Sequence, residues 1–202
     1  MNTSTLTGPT KMSSHRRQWL ITLGSLCLAA TSGAWCQTGS RLPLPELPSE
    51  VMASWRTATF RGRGQLKFLG MLIYEARLWV QSGWAEDRFA DTPLALELEY
   101  ARSLSGLRIA ERSMKEMQGQ ASIDPEISQR WLSQMQSIFP DVKAGDRITG
   151  LLWPGDSARF FLNGKAIGAV MEPAFAKLFF GIWLSPKTSE PELRKALIGA
   201  SA

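Results

Sequence analysis

The sequence predicts an α+β domain, an antiparallel sheet with helices packed on one face. Three observations predict it. Apolar residues alternate along 66–80 and 94–102, the period-two pattern of strands. The period then lengthens to that of helices across 107–138. Finally, Asn163-Gly164 joins two more short apolar runs, and a turn that needs positive φ at both central residues makes them a hairpin. Hairpins in place of long crossovers point to an antiparallel sheet, in the order strand-strand-strand, helix-helix, strand-strand-strand, helix-helix.

The elements follow in chain order. Leu66 to Val80 reads as strand, with a bend or bulge near Gly70. Its even positions, Leu66, Phe68, Gly70, Leu72, Tyr74, Ala76, Leu78 and Val80, are apolar, small or aromatic and should face the core. Its odd positions mix Leu69, Met71, Ile73 and Trp79 with Lys67, Glu75 and Arg77. Leu94 to Arg102 is the next strand. Leu107, Ala110, Met114 and Met117 then recur at helical spacing, as do Ile127, Trp131, Met135 and Ile138. Asp124-Pro125 supplies an N-cap and a proline at the first helical position, and Pro140 ends that helix. Arg147–Trp153, Ala158–Leu162 and Lys165–Val170 are strands. Pro173 opens a helix with Phe175, Leu178, Phe179 and Ile182 on one face. Ser189 and Glu192 are spaced as a capping box for a last short helix, which Gly199 ends.

Ahead of this domain the chain reads as an export signal. Residues 1–34 hold Lys11, Arg16 and Arg17 and no acid, then a short apolar run from Trp19 to Ala30, then Ser32 and Ala34 spaced for cleavage. The run is shorter than the roughly 20 residues of a spanning helix, so no stable membrane span is expected after cleavage. Arg16-Arg17 leaves both the general and the twin-arginine export routes open. Residues 35–50, with Pro43, Pro45 and Pro48, read as a linker, and 51–202 as one domain in the periplasm.

Composition then excludes several functions. Without the three leader cations, 23 basic residues become 20 against 18 acidic ones. No dense basic block remains, and no nucleic-acid partner is expected. The one histidine, His15, leaves with the leader, which removes histidine-based triads and the commonest transition-metal ligand. Cys36 alone cannot form an internal disulfide. Met114, Met117 and Met135 are soft ligands, but their helical spacing reads as core packing. No metal and no cofactor is expected.

Four stretches, in order, resemble the chalcone isomerase family, its bacterial chalcone isomerase-like branch above all. They are Ile73-Tyr74-Glu75-Ala76-Arg77-Leu78-Trp79, Phe139-Pro140-Asp141-Val142-Lys143-Ala144-Gly145-Asp146, Phe160-Phe161-Leu162-Asn163-Gly164 and Phe179-Phe180-Gly181-Ile182-Trp183-Leu184. The resemblance implies a chalcone isomerase-like open-faced sandwich. Function does not follow from it directly, because members of the family either cyclise chalcones, bind fatty acids or assist without catalysis. Aligned on Ile73-Tyr74, the family's substrate-polarising arginine falls at Leu66, with Arg63 and Lys67 nearest. Its threonine falls at Glu75, and the tyrosine of the fatty-acid binders at Trp79. These departures remove the residues by which the family catalyses and also those by which its fatty-acid binders anchor a carboxylate, and no catalytic residue is assigned.

The expected function is therefore binding of an apolar small molecule, fatty-acid-like or another lipid, with Arg63, Lys67, Glu75, Arg77 and Trp79 as ligand-binding candidates. Charges set among apolar residues on one strand face either line a pocket or pair with each other in solvent. Both readings of Glu75 and Arg77 stand at this point. An isomerase using Glu75, Tyr74 or Tyr100 for acid–base work with a cationic partner is the alternative. An envelope interaction module with an unknown protein partner is the third reading.

Overall fold

The computed structural model describes residues 44–199, so the export signal, His15, Cys36 and the start of the linker lie outside the described residues. A short helix, α1 (Ser49–Ser54), comes first. Ser49 and Glu50, read above as the end of the linker, therefore belong to it. Six strands form one antiparallel sheet in simple sequence order. They are β1 (Thr59–Phe68), β2 (Met71–Val80), β3 (Leu94–Tyr100), β4 (Arg147–Trp153), β5 (Ser157–Leu162) and β6 (Lys165–Val170). Helices α2 (Gly106–Gln120) and α3 (Pro125–Ile138) connect β3 to β4, and α4 (Pro173–Leu184) and α5 (Pro191–Leu197) follow the sheet.

The run Leu66 to Val80 is not one bent strand. It is the end of β1 and the whole of β2, joined by the two-residue turn Leu69-Gly70. Both turn residues have positive φ, 49° and 78°, as a tight hairpin requires. The consequence for the even face is direct. Ala76, Leu78 and Val80 are buried as expected, but Phe68 sits at the hairpin end, 59% exposed. Asn163-Gly164 does form the second hairpin, with φ of 50° and 83°.

Asp124 caps α3 as expected, accepting from the N–H groups of Glu126 at 2.8 Å and Ile127 at 3.3 Å. The capping box at α5 does not form. Pro191 takes the first helical position, which makes Glu190 the N-cap residue, and Glu192 instead pairs with Lys195 at 2.8 Å.

The two faces of the sheet differ. The inner face carries Ala76, Leu78, Leu96, Leu98, Ile148 and Phe160. It packs against Met114, Met117, Trp131, Met135, Phe175, Phe179 and Trp183 from the helices, all buried. The methionines and these two tryptophans are thus core. On the outer face a smaller apolar cluster gathers Trp79, Ala95 and Leu151 beneath Val51 of α1, with Trp55, Phe60 and Trp153 around them. Among the described residues, no helix is long and apolar enough to cross a membrane.

Candidate functional site

The inner face of the sheet does not meet the helices everywhere. Between them lies a cavity of about 480 Å³. Its floor is Leu66, Tyr74, Leu96, Leu98, Tyr100, Ile148, Gly150 and Phe160 from the strands. Its roof is Leu104, Ile109 and Ser113 at and in α2, with Phe139, Phe179, Phe180, Ile182 and Trp183. The strand floor follows from the period-two pattern, which puts large apolar side chains on one side of every strand.

A bulge widens the floor at one end. Leu66 pairs with Tyr74 but Lys67 pairs with Leu72, so Ile73 is an extra residue in β2. Beyond it the strict alternation fails, and Leu66, Lys67, Phe68, Ile73 and Tyr74 all reach the cavity wall. The exposed members of the lining mark the mouth: Lys67 and Phe68 on the hairpin, Arg108, Glu111, Arg112 and Lys115 on α2, and Ser189 before α5. Arg112 pairs with Glu116 at 2.7 Å. Lys67, Arg108 and Lys115 form no ion pair among the described residues.

Two hydroxyls stand inside. Tyr74 and Tyr100 lie opposite each other on β2 and β3, their rings edge to face at 5.9 Å. The Trp183 indole N–H donates to the Tyr74 hydroxyl at 3.0 Å, which leaves the hydroxyl's own proton free to donate. Burial pushes both phenols well above their ordinary range; for Tyr74 the Trp183 bond opposes this only in part. Both stay neutral at physiological pH. They can donate a hydrogen bond to a ligand, but they are poor groups for taking a proton.

The charged candidates sit elsewhere. Glu75 and Arg77 point from the outer face of β2, away from the cavity. There Arg77 meets Glu75 at 2.8 Å, Glu97 at 2.6 Å and Glu99 at 2.8 Å, and Arg147 meets the other oxygen of Glu97 at 3.1 Å. Arg63 stands directly across from Arg77 on β1, exposed. Trp79, two residues on, is buried in the apolar cluster under α1. The structure thus brings Glu75 and Arg77 together, with Glu97, Glu99 and Arg147, as a structural ion cluster, and Arg63 stands beside it in register without an ion pair among the described residues. Of the five candidates, Lys67 alone lines the cavity.

Glu97 is 1% exposed, and its burial raises its carboxyl above the ordinary value despite the two guanidiniums. Nearby, Glu50 of α1 is also buried and accepts from the Thr149 hydroxyl at 2.5 Å, which ties α1 to β4. Among the described residues no group of acids, cysteines or histidines has the makings of a metal site.

The stretches that carried the family resemblance supply much of the cavity lining, including Tyr74, Phe139, Phe160, Phe179 and Trp183, while their acids Asp141 and Asp146 have structural tasks. Asp141 accepts from the Gly106 N–H at 2.9 Å at the start of α2. Asp146 accepts from the Lys143 N–H at 2.9 Å and the Asn163 side chain at 3.0 Å, which hold its carboxyl below the ordinary value.

A six-stranded antiparallel meander with helices roofing an apolar cavity is an open-faced sandwich of one class. The chain belongs to the chalcone isomerase-like family, whose model matches residues 46–199. A curated relative, an uncharacterized protein of Haemophilus influenzae, is 28% identical over 127 residues, 63% of this chain. The chain spans 61% of that relative's length. Among solved structures, the fatty-acid binding protein of Arabidopsis thaliana superposes with a TM-score of 0.55 at 12% identity. The match covers 72% of this chain and 89% of that one. At that identity the likeness is one of fold.

Proposed function

We propose that this domain binds an apolar small molecule, a fatty acid or another single-chain lipid, in the cavity between sheet and helices, and does not convert it. The observation that carries this reading is the cavity itself. Its volume of about 480 Å³ falls within the roughly 300–1,000 Å³ of small-molecule sites, and its lining is dominated by aliphatic and aromatic side chains. Two neutral hydroxyls inside and cations at the mouth give a polar head two places to settle. The fatty-acid binding activity of the Arabidopsis neighbour is consistent with this reading.

Catalysis is disfavoured by the same geometry. Of the acid–base candidates of the isomerase reading, Glu75 is on the opposite face of the sheet, and Tyr74 and Tyr100, which line the cavity, are raised by burial and are poor bases. Leu66, aligned above with the family's arginine on the strength of Ile73-Tyr74, stands in the cavity wall and carries no charge. The export signal read in residues 1–34 supports a periplasmic location for this binding.

The test is uptake. Among the described residues the buried apolar core runs from Val51 to Ile198, and the chain without residues 1–34 keeps that core. After removal of bound lipid, that chain should take up one equivalent of palmitate in native mass spectrometry. No uptake of palmitate, an isoprenoid or a flavonoid would sink the proposal.

A further inference from the structure

The β1–β2 hairpin ends in an apolar tip that the fold does not use. Phe68 is 59% exposed, Leu69 81% and Met71 46%. Leu69 is the most telling of the three. Its φ of 49° lies in the left-handed region, where a bulky side chain is strained and asparagine or glycine is the ordinary choice. A leucine there makes the turn less stable and buries almost nothing. Neither folding nor packing accounts for it, and strain of this kind accumulates at functional positions.

The surroundings of the tip are cationic. Residues 65–74 contain Lys67 and no acid, and residues 101–110 contain Arg102 and Arg108 and no acid. The Arg102 guanidinium touches the Met71 sulfur at 3.1 Å, which places its charge at the tip. Arg108, like Lys67 and Phe68, lines the cavity and is exposed at its mouth. Glu111 and Glu190 are acids at this rim, set against Lys67, Arg108 and Lys115, which form no ion pair among the described residues, and Arg112, which pairs with Glu116.

We infer that the hairpin tip Phe68–Met71, with Lys67, Arg102 and Arg108, docks this protein on an anionic lipid bilayer and brings the cavity mouth against it. Large apolar side chains ringed by cations match the boundary between acyl chains and anionic headgroups. Phe68 belongs to both the tip and the cavity wall, so a chain leaving the bilayer enters along it without crossing water. This inference rests on the lipid-binding reading for its purpose, but its test does not depend on uptake.

The test uses the chain without residues 1–34 and sedimentation with vesicles. One set contains phosphatidylglycerol and phosphatidylethanolamine, the other phosphatidylcholine alone. The protein should partition at least tenfold more strongly to the anionic set, and raised salt should weaken this. Leu69→Asn replaces the strained apolar residue with one suited to the turn. It should lower anionic-vesicle binding at least fivefold, with a melting temperature no lower than that of the parent and palmitate uptake from solution unchanged. Equal binding to both vesicle sets, no binding to either, or full binding by Leu69→Asn would each overturn the inference. Loss of palmitate uptake by the parent protein, with vesicle binding intact, would instead overturn the ligand reading and leave the docking surface standing.

Discussion

Arg77 holds three carboxylates, and their exposure decides what each pair contributes. Glu99 is 40% exposed, so that pair adds little to stability. Glu97 is 1% exposed, and without Arg77 its charge would remain buried with Arg147 alone. Removing one partner of a buried pair costs about 3–5 kcal/mol, and the surviving Arg147 bond puts Arg77→Ala near the lower end, about 3 kcal/mol. Urea unfolding measures it, and a loss under about 0.5 kcal/mol would mean a solvated cluster. Palmitate uptake should be unchanged in this variant at saturating ligand, because Arg77 does not line the cavity. The sequence made Glu75 and Arg77 legible as a pair on one face. It did not reveal Glu97 and Arg147 as their partners, because those come from strands 20 and 70 residues downstream of Arg77, through register alone. Tyr74 and Tyr100 were visible as members of apolar faces. That they border empty space and not packed core depends on how far α2 and α4 stand from the sheet, which no local pattern encodes.

At the scale of elements, the strand and helix periods were legible wherever one face is buried and the other wet. The failure at Leu69-Gly70 has a physical cause. A leucine in a left-handed turn does not look like a turn residue, and the apolar alternation runs through it unbroken. The bulge at Ile73 likewise breaks the strand's parity, so Lys67 and Ile73, which alternation alone places on the outer face, reach the cavity wall. Helix α2 is amphipathic and lies on the sheet, with Ala110, Met114 and Met117 buried, but Leu107 of the same spacing is 55% exposed, and Ile109, partly buried against the core, lines the cavity roof. That position gives a direct test of the cavity as a property of two elements. Ile109→Trp adds an indole where the roof leaves space. It should lower palmitate uptake about tenfold while the melting temperature holds or rises, since filling a void restores lost contacts. A fall in melting temperature with uptake retained would show that α2 packs tightly there and that the ligand lies elsewhere.

For the molecule as a whole, the cavity joins the helix layer to the sheet, and the protein's only two tyrosines report on that joint. Both Tyr74 and Tyr100 line the cavity and both are held neutral, with burial as the main cause. An unfolded tyrosine ionises near pH 10. Above that pH the unfolded chain releases protons that the folded one keeps. Stability from these groups is therefore complete below about pH 10 and declines as pH rises beyond it. Tyrosinate absorbance in an alkaline titration should accordingly appear together with loss of the far-ultraviolet circular dichroism signal, in one cooperative step. Bound palmitate should move that step to higher pH, because a ligand of the folded state opposes opening by mass action. Independent tyrosinate formation near pH 10, with secondary structure intact, would mean that water fills the cavity in the folded protein. The apolar interior on which the binding proposal rests would then not exist in solution.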